Sequence, residues 1–478
     1  MVLRLVFQNY SFYEYDNQLQ INNLISHFLA CFSVYKNEFC CIFGILKRDV
    51  LRTEIHKTIA NSMAFKKQLL DWSQQFREVV FMDSNDYPQE FSSFDALLAV
   101  DAFTLIQTDY HNAFEDLQQY QQTTKDWLFG YLSYDLKNDS EHLQSANFDG
   151  LAFPDLFFFQ PKKLFLLKGN QLTIQYLNLC DDEVETDFDE ITNRDSVDFS
   201  ESESITVQAR LSKESYIEKV NVLLEHLHRG DVYEANFCME FYAENTTINP
   251  LEKFKRLNDI SQTPFAVFFK NNKQFLLSAT PERYLRKEGE NLISQPIKGT
   301  AKRFPDSKED EKAKANLVSD PKERAENIMI TDLVRNDLSR TAQKGTVKVQ
   351  ELCGIYSFQQ VHQMISTITS KLDSKHSLVD VLKLTFPMGS MTGAPKISVM
   401  KIIEELEETK RGLYSGAIGY ISPNGDFDFN VVIRSILYNQ EKKYVSFSVG
   451  SAITSLSNPE KEYEECLLKA KAMHEVLC

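Results

Sequence analysis

The alternation of apolar and polar positions is clearest in the second half of the chain. Residues 444–453 set Val445, Phe447 and Val449 against Ser446 and Ser448, the two-residue period of a strand with one buried face. Upstream, the runs 414–422 and 429–438 flank Pro423-Asn424-Gly425-Asp426, a strong turn signal. Strands joined by short turns predict a three-stranded antiparallel meander. That sheet type argues against a dinucleotide-binding or P-loop fold. Gly389-Ser390-Met391-Thr392-Gly393-Ala394-Pro395-Lys396 is superficially like a phosphate loop, but the spacing is wrong and no Gly-Lys-Ser/Thr follows. Earlier in the chain, residues 164–167 and 172–176 predict a hairpin about Gly169-Asn170. The β-rich run 129–134 holds Gly130, where another backbone can approach closely. Residues 1–10 also alternate like a strand. The helical period is clearest after Ser212, which predicts a capped helix to about His228. Ile217, Val220, Leu224 and Leu227 face inward and Gly230 closes it.

With 478 residues, 43% of them apolar and 25% charged, the chain reads as a globular protein of more than one domain. Its formal charge is 52 − 68 = −16. So acidic a chain argues against nucleic acid as a partner. A small anionic substrate would need a local cationic site set against the global field. The eight cysteines are scattered without a Cys-x-x-Cys pair, which predicts reduced thiols rather than zinc or disulfides. No apolar run approaches the ~20 residues of a membrane span, and the N-terminus lacks a signal-peptide core. The expected location is cytoplasmic, without membrane association. Residues 181–203 are crowded with Asp and Glu, and Arg194 is their only base. This predicts a solvated linker at about 181–204 between an N-terminal lobe, residues 1–200, and a second domain, residues 205–478.

Two helix starts share a composition. Asp320-Pro321-Lys322-Glu323 reads as N-cap, proline and acidic first turn, with Glu326 three residues on. Asn458-Pro459 opens the last helix in the same way, with Glu462 and Glu465. Each pair alone reads as capping and dipole compensation, worth up to about 1 kcal/mol. Together they offer oxygen ligands of the kind Mg²⁺ takes. Lys298 lies in Gln295-Pro296-Ile297-Lys298-Gly299-Thr300, between a strand-like run at 291–294 and a Gly-Thr turn. By itself it reads as an exposed loop lysine. Beside a bound electrophile, an amine of lowered pKa would be a nucleophile.

Eight ordered stretches resemble the chorismate-utilising enzymes, the group of anthranilate synthase component I and aminodeoxychorismate synthase component I. They are residues 230–236, 278–283, 296–300, 325–337, 386–396, 415–420, 433–435 and 450–465, covering roughly 205–478. Residues 129–135 resemble the same family more weakly. The resemblance implies a two-lobed α/β fold, with large antiparallel sheets packed as a sandwich and helices outside. It implies chorismate bound with Mg²⁺, the ion held by Glu323, Glu326, Glu462 and Glu465. It assigns carboxylate anchoring to Tyr420, Arg434 and the Gly450-Ser451-Ala452 backbone, with Thr392, Gly393, Ala394 and Lys396 also at the substrate. An arginine fork suits a carboxylate.

The resemblance makes Lys298 the nucleophile that adds to carbon 2 of chorismate and Glu282 the acid that protonates the departing 4-hydroxyl. Ammonia then enters at carbon 4. Anthranilate synthases usually carry alanine at the position of Lys298. The expected activity is therefore that of aminodeoxychorismate synthase, with anthranilate synthase the alternative. An inactive chorismate-binding subunit or an isochorismate synthase is a further reading. The last is disfavoured by Glu234, where water-adding relatives carry lysine. A glutamine amidotransferase partner is implied, because the chain shows no glutaminase motif, and the chain is expected to end in the synthase's last helix. Two positions depart from the family pattern. Gln363 stands where a histidine is common, with His362 beside it, and Cys466 replaces a threonine after the last glutamate.

Overall fold

The computed structural model describes residues 51–195, 204–358 and 361–478. The strand expected at residues 1–10 lies outside them. The twenty strands among the described residues join through antiparallel pairing into one continuous hydrogen-bonded system. Strands from both ends of the chain interleave in it. Glu78–Asp83 pairs with Phe265–Asn271, and Leu128–Leu132 pairs with Ala417–Ile421.

The layers follow from which faces are apolar. One core is made almost wholly of strand side chains, among them Val80, Leu97, Phe129, Phe157, Phe159, Val267, Phe269, Ile418 and Leu437, so sheet packs on sheet. The outer faces are covered by helices. Lys213–Arg229, Pro250–Ser261 and Pro459–Leu477 close one side, and Ala113–Thr124, Pro321–Ser339 and Leu378–Thr385 close the other. This is the antiparallel sandwich with outer helices that the family resemblance implies.

Several local expectations hold. Ser212 caps Lys213–Arg229 and Gly230 ends it in the left-handed region, although Tyr216 and Leu223 are buried and Ile217 is only half-buried. The hairpin about Gly169-Asn170 joins Leu156–Lys168 to Gln171–Leu177. Gly130 pairs between Gly419 and Phe158, and a Cβ there would lie 1.9 Å from the Phe157 carbonyl oxygen.

Three expectations are corrected. The run 429–438 is two strands, not one. Phe427–Val431 pairs with Ala417–Ile421 and Arg283–Glu288, whereas Ser435–Asn439 pairs with Gln274–Thr280 and Tyr444–Thr454. Arg434 sits between them at φ +52°, where the chain changes partners. The acidic stretch is not all solvated linker. Val184–Thr192 is a helix whose Val184 and Ile191 are buried, and Asp187 accepts from Lys163 Nζ at 2.5 Å and from the Tyr176 hydroxyl at 2.7 Å. Lys298 lies not before a turn but within the strand Ile297–Lys302, where the register with Val361–Lys371 is irregular between Ile297 and Thr300.

Gly130→Ala should force the Leu128–Leu132 and Leu156–Lys168 strands apart. The expected loss is about 1–3 kcal/mol, read as a lower urea midpoint. An unchanged midpoint would mean that this backbone contact is not tight.

Candidate active site

The two capped helix starts converge. Asp320 accepts from the backbone N–H of Lys322 at 2.9 Å and of Glu323 at 3.1 Å, and Asn458 accepts from Lys461 at 3.0 Å. Between the helices stands the Lys322 ammonium, 3.8 Å from Glu326 Oε1 and 3.5 Å from Glu462 Oε1. Ser451 donates to Glu462. Lys469 bridges Glu465 at 2.7 Å and the Gly450 carbonyl at 2.8 Å. Gly299 completes the enclosure. A Cβ there would sit 3.2 Å from Glu323 Oε2, so the glycine lets the Lys298 strand and the glutamate helix close together.

Burial pushes the Glu326 carboxyl up to about 7, although Lys298 and Lys322 oppose the shift. Burial and the charge of Glu465 also raise Glu323. Glu465 is partly exposed, and although desolvation opposes it, Lys469 holds its carboxyl below the usual range. Among the described residues no three His, Cys, Asp or Glu side chains close into a ready coordination shell. The donor set is nevertheless oxygen-only, Glu326 Oε1 is buried without a hydrogen-bond partner, and a cationic group already stands between the carboxylates. These features fit a hard divalent cation.

Lys298 reaches into the same region. Asn327 holds its strand in place by donating to the carbonyls of Lys298 at 3.1 Å and Met364 at 3.0 Å. The Lys298 ammonium is 2.9 Å from Glu234 Oε1, with 13% of the lysine side chain and 1% of the glutamate's exposed. Burial disfavours its charge, but Glu234 and Glu326 outweigh that and hold its pKa above the ordinary lysine value. Glu282 accepts from Ser390 Oγ at 2.6 Å. Burial pushes Glu282 up to about 7 against the pull of Ser390 and Lys298.

Arg434 has no ion pair or side-chain hydrogen bond among the described residues. Burial lowers its pKa, and Tyr414 and Glu465 are the groups whose charge it feels. Tyr414 accepts from Cys238 Sγ at 3.8 Å. Gly450 pairs with Cys238, and a Cβ on it would meet Cys238 Sγ at 2.7 Å and Asn236 Oδ1 at 3.1 Å. Ala452 continues the pairing opposite Asn236. Gly393 and Ala394 pair with Ala235 and Glu234. Gly393, at φ +143°, has no room for a side chain, because a Cβ would lie 2.1 Å from the Glu234 carbonyl. The Thr392 hydroxyl donates to the Met388 carbonyl at 3.2 Å, and the Thr392 carbonyl accepts from Asn236 N–H at 2.8 Å. This loop therefore fixes the strand that carries Glu234.

Two expected site residues are placed elsewhere. Tyr420 packs against Phe94, Trp127 and Phe129 and lines a different cavity with Arg283 and Asp428. Strand alternation explains this, since Tyr420 shares the inward apolar face of Ile418. Tyr414, six residues earlier, is the tyrosine beside Arg434. The Lys396 ammonium is buried against Asp337 at 2.6 Å and the Thr385 carbonyl at 3.2 Å, so it serves packing between helices. His362 is used by Asp310 at 3.1 Å and Ser357 at 2.8 Å. Gln363 is buried with Oε1 unpartnered. The sequence reading also missed the contact of Glu234 with Lys298 and the placing of Lys322. The pairing of Gly393-Ala394 with Glu234-Ala235 is the structural link, and no local motif announces it.

A buried amine, an unpaired guanidinium and a ring of carboxylates around an ammonium suit a small anionic ligand taken up with a cation. The family model for chorismate binding enzymes matches residues 77–475, and the chain belongs to that family. It is 38% identical over 275 residues to aminodeoxychorismate synthase component 1 of Escherichia coli (strain K12), a match covering 57% of this chain and 60% of that relative. It is 30% identical over 390 residues to aminodeoxychorismate synthase component 1 of Bacillus subtilis (strain 168), covering 78% and 80%. The fold matches that of anthranilate synthase component I from Streptococcus pneumoniae TIGR4 with a TM-score of 0.70 at 24% identity, over 81% of this chain and 94% of that one. Among the described residues no helix is long and apolar enough to cross a membrane.

Removing the cation between the helices should expose their repulsion. Lys322→Ala is expected to lower the thermal midpoint more at pH 8 than at pH 5. Glu326, raised to about 7, is charged at the higher pH and takes up a proton at the lower. An equal deficit at both pH values would show that Lys322 does not balance these carboxylates.

Proposed function

We propose that the protein is an aminodeoxychorismate synthase component that converts chorismate and ammonia into 4-amino-4-deoxychorismate, the ammonia coming from a separate glutamine amidotransferase. The observation that carries this reading is the burial of Lys298 Nζ against Glu234 within the field of Glu326 and Glu282, rather than in solvent. The names of the E. coli and B. subtilis relatives support it.

Arg434, unpaired and next to Tyr414, takes a substrate carboxylate. Glu323, Glu326, Glu462 and Glu465 would hold Mg²⁺, with Lys322 giving up its place among them. The bound ion would supply Lewis-acid polarisation of the substrate's ring carboxylate. Lys298, as the free amine, adds to carbon 2, and the ring electrons shift to break the carbon 4–oxygen bond. Hydroxide is a poor leaving group, so Glu282 in its acid form gives the oxygen a proton and water departs. Burial keeps that acid form populated up to about pH 7. Ammonia then bonds to carbon 4 and the lysine amine is expelled from carbon 2.

Incubation with chorismate, Mg²⁺ and ammonium should give 4-amino-4-deoxychorismate by chromatography and mass spectrometry, and Lys298→Ala should abolish it. Anthranilate with pyruvate release, or binding without product, would overturn the reading. In the wild type kcat/KM for chorismate should fall about tenfold per pH unit above about 7, as Glu282 loses its proton. Glu282→Gln should remove that limb and lower kcat about 10²–10⁴-fold. A pH profile unaltered by the substitution would exclude Glu282 as the acid.

A further inference from the structure

We propose that Glu234 is the catalytic base that takes the proton from Lys298 and so frees its amine for attack. The inference rests on the reading above, in which Lys298 is the nucleophile, and adds the group that activates it.

The geometry leaves few alternatives. An ammonium has no lone pair and cannot attack, and Lys298 is held next to anionic groups that favour its charged form. Some atom in contact with Nζ has to accept a proton. Glu234 Oε1 is that atom, at 2.9 Å. The neighbouring histidine is not available, because His362 is tied to Asp310 and Ser357. Gln363 carries an amide, which takes no proton at neutral pH. Glu282 is needed as an acid and accepts from Ser390. Glu234 is also free to change state. Its Oε2 is buried and has no hydrogen-bond partner, so protonation breaks no bond there. Its backbone, by contrast, is fixed by pairing with Ala394 and with Thr454. A rigid strand thus holds one carboxylate oxygen on the amine and leaves the other open.

The proton count closes. The Lys298 ammonium gives one proton to the Glu234 carboxylate, leaving a neutral amine and a carboxylic acid. The amine forms its bond to carbon 2 while the departing oxygen takes a proton from Glu282 and leaves as water. When ammonia bonds to carbon 4, the carbon 2–nitrogen bond breaks and the neutral lysine amine returns, taking its proton back from Glu234. The product leaves as an ammonium or gives that proton to Glu282.

The test is chemical rescue. Glu234→Ala removes the base and opens a space the size of a small carboxylate. With chorismate, Mg²⁺ and ammonium, its kcat should fall about 10²–10⁴-fold. Added formate should restore at least about tenfold of that, saturably. Glu234→Gln, nearly the same shape, should lose as much and gain nothing from formate, and it stands in if the alanine variant fails to fold. Wild-type kcat in either variant would overturn the proposal, and so would an alanine variant that folds, loses activity and is not rescued. If the wild type itself makes no 4-amino-4-deoxychorismate, the proposed function fails instead.

Discussion

The constraint on which the site depends is charge balance in a buried space. Glu234, Glu282, Glu323, Glu326, Glu462 and Glu465 face Lys298, Lys322, Lys469 and Arg434. Six acids against four bases leave a shortfall of two positive charges. Charges taken out of water cost several kcal/mol each unless they are paired. Glu282 and Glu326 are both raised to about 7 by burial and can give up the excess by binding protons. The same shortfall matches one divalent cation. With one divalent cation the six acids and four bases balance, so a negative substrate meets no net negative charge there although the chain's formal charge is −16.

The sheet supplies the rigidity this balance needs. Tyr444–Thr454 pairs along its length with Glu234–Ala243, so Gly450, Ser451 and Ala452 stand opposite Cys238, Phe237 and Asn236. Ser451 then reaches Glu462 and Lys469 reaches the Gly450 carbonyl, tying the last helix to the strand it follows. Asn327 does the same for the other helix, holding the Lys298 and Met364 carbonyls while accepting from Ser366 Oγ. Each glutamate helix is thus pinned to a strand that carries a site group.

What was legible in the sequence was local. Capped helix starts and hairpin turns depend on neighbours in sequence, and the structure has them. The glutamate pairs were visible because a three-residue spacing puts both on one helix face. What failed was what depends on distant partners. Lys396 meets Asp337, 59 residues away, and no periodicity announces such a pair. Apolar residues run from Val431 to Leu437 almost without interruption, so the break at Arg434 left no mark in the pattern. Tyr414 lies in the turn before the strand Ala417–Ile421 and Tyr420 within it, and only tertiary contacts tell which of the two meets Arg434. The acidic run 181–203 looked solvated by composition, but Val184, Asp187 and Ile191 place one helical face of Val184–Thr192 inward.

The two departures from the family pattern now have physical accounts. Cys466 is fully buried, with its thiol 3.5 Å from the Tyr216 hydroxyl and pushed up to about 11 by burial. It fills the interface between two helices as a neutral group, while Glu462 and Glu465 on the same helix turn to the site. Gln363 keeps a buried, unpartnered oxygen. A buried acceptor without a donor is costly, and an amide takes no proton at neutral pH. In the proposed reaction, proton traffic is then left to two carboxyl groups. Glu282 sits in a buried pocket that favours its acid form, and Glu234 is an ion-pair partner on the amine.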